Sequence, residues 1–382
     1  MPGEVPTLAR QGLWVKRRTL WLCCAIPAYV ILSLVLFFSW VNPSLTGETE
    51  QHIAADSSTY MYFADSLREG RNDPWVFASL ASFPNTRWGP VLIGVLIPST
   101  VAIVLANYSI LLFAIWLIHR AIDIDLSLLL LLILANVTTF ISLLSLNKEI
   151  LDLLVMSLFV YYLGRGSQRA RRIALSAALL ISTICRFETA VCIIAYLTLE
   201  SRWNILRRWR TASLIVIVLL LSASLPSLIS ATMSSRIDEA QATASSGGLL
   251  LLLDDLQMHY LFFVAVIPKI LDNLFAQLVS FNSWPSYSLY DAANTFFLFG
   301  NNLASLVVIV LLIFQKRFRL RNNLVYFACL TAILMSTSPV IQPRYFYGAY
   351  IILCVEAARR WHPRPIKHTS SKRLNISVTA AA

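Results

Sequence analysis

The sequence predicts an all-α protein, a polytopic transmembrane bundle of about ten helices with helical loops on its outer side. Three observations predict it. The 382 residues are 57% hydrophobic and only 13% charged, with a mean hydropathy of +0.68, whereas soluble domains are about 25% charged. The apolar residues come in long runs, and a run of about 20 spans a bilayer. The basic residues sit in short clusters between those runs, which is the pattern that sets membrane orientation. The same clustering excludes nucleic acid as a partner despite the formal charge of +11, because nucleic-acid binding needs a basic face on a folded domain.

The first apolar run, 19–41, follows Lys16, Arg17 and Arg18. It is too long for a signal-peptide core and no small-x-small cleavage site follows it, so it reads as an uncleaved first helix. The other spans are 99–119, 126–146, 150–164, 173–185, 189–199, 211–231, 295–314, 323–340 and 345–358. Several fall below the roughly 17 residues of a full crossing, and these are expected to extend into their flanks or to meet a thinned bilayer. With the N-terminus inside, the inner segments 1–18, 119–125, 165–172, 201–210, 315–322 and 359–382 hold 23 of the 31 basic residues. The inner side, helix ends included, holds 5 of the 20 acidic ones. One transmembrane domain, 19–358, thus lies in the inner membrane between two cytoplasmic tails, 1–18 and 359–382. The second tail is basic and suited to anionic lipid.

Two outer segments are long, about 42–98 and 232–294. In the first, Tyr60, Phe63, Ala64 and Leu67 recur at helical spacing, which predicts a helix over 57–69. Residues 90–98 are apolar but too short to span, as an interfacial or re-entrant piece would be. In the second, 245–248 (Ser-Ser-Gly-Gly) reads as a flexible element. The apolar stretches 249–253 and 260–281 that follow, the latter carrying Lys269, Asp272 and Asn273, form either two surface helices or an extra hairpin, giving ten crossings or twelve.

There is no internal repeat and no Walker or dinucleotide motif, so nucleotide-driven activity has no support. Cys23, Cys24, Cys185, Cys192, Cys329 and Cys354 all lie in apolar runs without metal-ligand spacing. His52 stands four residues before Asp56, but a lone His in a polar loop is ordinarily solvated. No cofactor is expected, and a divalent metal has no support in the spacing. Trp75, Trp88 and Trp284 fit the interfacial aromatic belt. Asp254 and Asp255 fit a helix start.

Ionisable residues at membrane depth are costly and mark functional sites by default. Asp56 follows the first helix on the outside, and Arg87 precedes Trp88. Lys148 and Glu149 occupy the outer turn between spans three and four. Arg186 and Glu188 occupy that between five and six, and Arg344 and Tyr345 that before the last. Each has a plainer reading. Lys148–Glu149 and Arg186–Glu188 equally form pairs that pin short turns, and Asp56 equally caps the helix from Ser57. Arg344 has no acidic neighbour in sequence. Taken together, the cations suit a phosphate or pyrophosphate, which a guanidinium fork grips bidentately and a Lys meets as a point charge.

Asp56-Ser57-Ser58-Thr59-Tyr60, then Ala64-Asp65-Ser66-Leu67 and Gly70, then Arg87-Trp88-Gly89-Pro90 before the next helix, resemble the GT-C class of polytopic glycosyltransferases, which use polyprenyl-phosphate-linked sugars. Leu146-Asn147-Lys148-Glu149-Ile150, Arg186-Phe187-Glu188 and Pro343-Arg344-Tyr345 resemble outer-turn elements of such enzymes and of Wzy-like polysaccharide polymerases. The sequence departs from that class in two ways. Ser57 and Ser58 follow Asp56 where many members carry a second acidic residue, and no large C-terminal outer domain is expected.

The resemblance implies a bacterial inner-membrane transferase. It would take a polyprenyl-linked sugar donor on the outer face and pass the sugar to a glycan or lipid acceptor in cell-envelope polysaccharide or glycolipid biosynthesis. It implies Asp56 as the base that deprotonates the attacking hydroxyl. Lys148, Arg186 and Arg344, with Arg87, would stabilise the leaving phosphate. Tyr60 and Tyr345 would orient sugar or phosphate, and Glu149 and Glu188 complete the substrate-binding set. An O-antigen or capsular polysaccharide polymerase of the Wzy kind is the nearest alternative. A transporter or lipid-linked saccharide flippase is the next, though two related halves and midplane charges, its usual marks, are missing from the sequence.

Overall fold

The computed structural model describes residues 25–45, 55–71, 73–80, 87–232, 248–279, 289–338 and 343–360. Residues 1–24, His52, Trp284, the tail beyond Arg360 and the 245–248 element except Gly248 lie outside them. Among the described residues every named element is a helix, with one isolated β-bridge between Ile124 and Arg359. In chain order they are α1 (25–45, with a π turn at Phe37–Val41), α2 (Ala55–Arg68), α3 (Pro74–Leu80), α4 (Trp88–Leu96), α5 (Thr100–Ala121), α6 (Leu126–Leu134), α7 (Val137–Leu144) and α8 (Lys148–Leu163). Then come α9 (Gln168–Cys185), α10 (Phe187–Leu199), α11 (Arg210–Thr232), α12 (Gly248–Met258), α13 (Phe262–Val279), α14 (Leu289–Phe314), α15 (Asn323–Met335) and α16 (Tyr347–Ala358).

The sequence cuts an almost continuous apolar chain into helices by placing capping side chains at the breaks. Ser99, Asp125, Asn136, Asn147, Ser167 and Asn322 each precede a helix, and each side-chain oxygen accepts from an amide of the first turn. A first-turn amide has no intrahelical partner, so a cap there stabilises the start by about 1 kcal/mol.

The predicted span 126–146 is not one straight helix. It is broken into α6 and α7, bent by 78°. Asn136 starts α7, its Oδ1 accepting from Thr138 and Thr139, while Asn301 of α14 also accepts from Thr138. At the other end of α7, Asn107 of α5 donates to the carbonyls of Ser142 and Ser145 at 3.0 and 2.9 Å. Asn136 and Asn301 thus satisfy backbone groups that the bend exposes, and Asn107 those at the far end of α7, as non-helical backbone away from water requires.

Two helices lie at the centre. α8 is buried along most of its length and packs against α4, α5, α7, α9 and α16. α16, buried except at Leu353, packs against α6, α8, α14 and α15. A helix covered on all sides is a core helix. Around them, α5 and the stretch Arg210–Ser227 of α11 are long and apolar enough to cross a membrane, and α6 with α7 makes a third if the bent pair counts as one span. The second long loop forms two helices, α12 and α13, which pack on each other and, through α13, on α11 and α14. Lys269 of α13 is fully buried between them, 2.6 Å from Asp254 and 3.3 Å from the Ser338 carbonyl, and Gln257 donates to Thr337. That pairing ties the loop helices to the turn after α15.

Candidate functional site

The residues that the sequence singles out come from five separate stretches of chain, and the fold gathers them at the N-terminal end of α8. The first is α2, whose apolar face (Tyr60, Phe63, Ala64) packs under α4 against Val91 and Leu146. Asp56 lies in its first turn. α4 begins just after Arg87 and rests on Cys185 through Gly89. A methyl carbon at Gly89 would stand 2.1 Å from the Cys185 sulfur, so no side chain fits. This contact fixes Arg87 on one side and Arg186 on the other. α7 delivers Asn147, which caps α8 and sets Lys148 and Glu149 in its first turn. A short 3₁₀ turn, Pro343–Phe346, carries Arg344 and Tyr345 onto the start of α16.

The ion pairs do not follow sequence adjacency. Arg186 does not pair with its neighbour Glu188 but reaches Glu149 at 2.8 Å and Asp152 at 3.6 Å, with all three side chains almost fully buried. Thr189 donates to Asp152 at 2.8 Å, and Arg186 also donates to the Arg344 carbonyl at 3.4 Å. Arg344, without an acidic neighbour in sequence, pairs with Asp56, 288 residues away. That pair is open, with 34% of the Arg344 side chain and 42% of the Asp56 side chain exposed. Asp56 therefore meets a cation, and the helix-capping reading is not needed to explain its presence.

Aromatic rings line the cations. Lys148 lies 6.0 Å from the Tyr60 ring, Arg186 and Arg344 lie 5.8 and 5.9 Å from the Tyr345 ring, and Arg87 lies 5.9 Å from Phe63. Tyr345 thus has two guanidiniums within about 6 Å of its ring, a favourable neighbourhood for a π-system. Burial, and then the charges of Asp56 and Glu149, raise the Tyr60 hydroxyl well above the ordinary tyrosine range. Tyr60 stays protonated and offers a hydrogen-bond donor. Glu188 lies in the first turn of α10, within electrostatic reach of Lys148 and Arg186.

Sequence reasoning missed Asp152 and Thr189. The signal was present. Asp152 falls at i+4 from Lys148 and i+3 from Glu149, so all three share one helix face, inside an otherwise apolar run. Gly348 of α16 leaves room for it, since a methyl carbon there would come within 3.1 Å of the Asp152 carboxylate.

The cluster brings together four basic and four acidic side chains, and its two ion-pair systems differ in burial. Arg186 with Glu149 and Asp152 is almost fully buried. Arg344 with Asp56 is partly exposed. Two residues after Arg344, Phe346 is one of the side chains lining an apolar cavity of about 740 Å³ between α11, α13, α14, α15 and α16. Leu274, Ile333, Ala349 and Leu353 line it. No group of three or more His, Cys, Asp or Glu that could hold a metal ion occurs among the described residues.

Comparison of the chain with family models, with curated proteins and with solved structures finds no match.

Proposed function

We propose that this chain is a polytopic enzyme of the bacterial inner membrane, with about ten crossings and both tails in the cytoplasm, that transfers a sugar from a polyprenyl-phosphate-linked donor at its outer face. The observation that carries this reading is the partly exposed Arg344–Asp56 pair, with Phe346, two residues on from Arg344, lining an apolar cavity. A lipid phosphate is the ligand with one end for each. Its phosphate suits Arg344, with Lys148 and Arg87 close by, and its hydrocarbon suits the cavity. The exterior supports the membrane setting. α5 turns Leu105 and Leu112 outward, 64% and 65% exposed, while burying Asn107. Apolar outside and polar inside is the arrangement for lipid as solvent.

The chemistry follows from exchange of partners. The arriving phosphate takes the place of Asp56 on Arg344, and the released carboxylate becomes a stronger base because its neutralising cation is now shared. An acceptor hydroxyl gives its proton to Asp56 as its oxygen bonds the anomeric carbon. The bond from that carbon to the phosphate oxygen breaks, and the phosphate leaves with the electron pair. Arg344 and Lys148 stabilise that charge, Tyr60 donates to sugar or phosphate, and Tyr345 is held as a flat wall. Arg186 is too deeply paired to take part directly. It holds the Arg344 carbonyl in place. The product enters cell-envelope polysaccharide or glycolipid.

The test is mass spectrometry of undecaprenyl-linked and surface glycans in cells lacking the protein and in cells carrying Asp56→Asn or Arg344→Ala. Loss of one sugar from a glycan in all three supports a single-sugar transferase. Accumulation of unpolymerised repeat units in all three assigns the same residues to a Wzy-like polymerase with a pyrophosphate donor. Unchanged glycans, with the variants present in the membrane, would remove the sugar reading and leave transport to be tested. In a purified assay Asp56→Asn is expected to slow transfer by about 10²–10⁴-fold.

A further inference from the structure

The helices that carry the candidate site at one end carry a second charged feature at the other. α8 begins at Lys148 in the site and ends at Leu163 beside a cavity of about 1610 Å³. A helix of this length separates the two by about 24 Å. The cavity lies among the C-terminal ends of α5, α8, α14 and α16 and the turn between α14 and α15. Seven of its lining side chains are basic and two are acidic.

Topology alone accounts for basic residues on the inner side, and part of this set has a structural task. Arg317 donates to the carbonyls of Glu356 and Ala357 at the end of α16. Arg359 pairs with Glu356 at 3.5 Å, and Arg360 stands 4.0 Å from Asp123. Arg165, Lys316, Arg319 and Arg321 remain, and they enter no ion pair among the described residues. Topology does not explain why four uncompensated cations converge on one cavity, at a cost in mutual repulsion.

Lys316 adds a second, independent observation. α14 ends in a Schellman turn, in which Arg317 N–H donates to Leu312 and Lys316 N–H to Ile313, both at 2.9 Å. Lys316 therefore occupies the left-handed position that glycine ordinarily fills, with φ of 55°. A lysine there strains the backbone, and the side chain that this strain retains lines the cavity. A third observation concerns what adjoins it. Ile313 and Phe314, just before this turn, are 58% and 82% exposed, so an apolar rim borders the basic cavity.

We infer that this cavity binds a phosphate-bearing anionic group, with the headgroup of an anionic membrane lipid as its source. A basic pocket between helix ends at the membrane surface is the physical form of such sites. The apolar rim at Ile313 and Phe314 gives acyl chains a surface that a soluble phosphate would not need. The inference stands whether or not the opposite end transfers sugar.

The experiment uses the full chain, purified, with two probes. Native mass spectrometry counts phosphatidylglycerol retained per chain, with phosphatidylcholine of the same acyl chains as control. Calorimetry measures binding of inorganic pyrophosphate. The variants are Lys316→Gly, which removes a charge and relieves the left-handed strain, and the double variant Arg319→Gln with Arg321→Gln. Retention of phosphatidylglycerol over phosphatidylcholine, reduced tenfold or more in both variants, establishes the lipid source. Pyrophosphate binding that both variants weaken, without lipid preference, keeps the phosphate site but assigns it to a soluble ligand. Equal behaviour of wild type and variants toward both probes overturns the inference. Lys316→Gly is expected to melt no lower than wild type, so loss of binding in that variant reports charge and not unfolding.

Discussion

Arg186 and Arg344 are the same residue type within one cluster, yet their surroundings give them different consequences when lost. Arg186 neutralises two carboxylates that are as buried as itself, so Arg186→Gln leaves uncompensated charge in the interior and is expected to destabilise the fold by about 3 kcal/mol. Arg344 and Asp56 are half in solvent, and Arg344→Gln is expected to change stability by less than about 1 kcal/mol while removing transfer activity. Melting of the two purified variants in one detergent, beside an activity assay, checks the contrast. Comparable melting losses would show that the two pairs do not differ in kind. At this scale the sequence was informative about which residues matter and silent about their partners. A charge in a short turn between apolar runs announces itself, because solvation does not explain it. That Arg186 would choose Glu149 over Glu188, or Arg344 find Asp56 across 288 residues, depends on how α2, α8 and α16 pack, and no local pattern encodes that.

Among the elements, the broken pair α6–α7 has the most to teach. Residues 126–146 are apolar enough to read as one span, and hydropathy alone hides the 78° bend. The sign was Asn136, a capping residue in the middle of an apolar run, which is a start signal wherever a neighbour can satisfy the rest. Asn301 does so at the bend, and Asn107 at the far end of α7. Their identity as partners depends on tertiary packing and could not be read beforehand. Asn136→Ala removes the acceptor of two amides and is expected to destabilise by about 1 kcal/mol. It should also speed hydrogen exchange at Thr138 and Thr139. Exchange no faster than wild type would mean that Asn301 alone holds the bend. Because α7 leads into the Asn147 cap, and Asn147 sets Lys148 and Glu149, a loosened bend is also expected to loosen the site. The helix expected over 57–69 and the short apolar piece at 90–98 correspond to α2 and α4. Their periodicity and length were legible because each buries one face locally.

For the whole molecule, the charge asymmetry read from the sequence predicts a definite orientation. With native cysteines replaced, a membrane-impermeant thiol reagent is expected to label Arg71→Cys in intact spheroplasts and Arg202→Cys only after permeabilisation. Equal labelling of both would refute the orientation. Hydropathy could not show that the last helix in this order lies at the centre. α16 is 12 residues long, about 18 Å, short of a bilayer's 30 Å core, and the surrounding helices bury it. This has a consequence for how the protein is made. The ribosome delivers α16 after every helix it packs among, so those helices must wait, with their inward faces unfilled, for a segment too short to anchor itself. Arg344 arrives with it. Asp56 is synthesised first of the candidate-site residues and Arg344 follows it 288 residues later, so the two can pair only after the turn before α16 has been made.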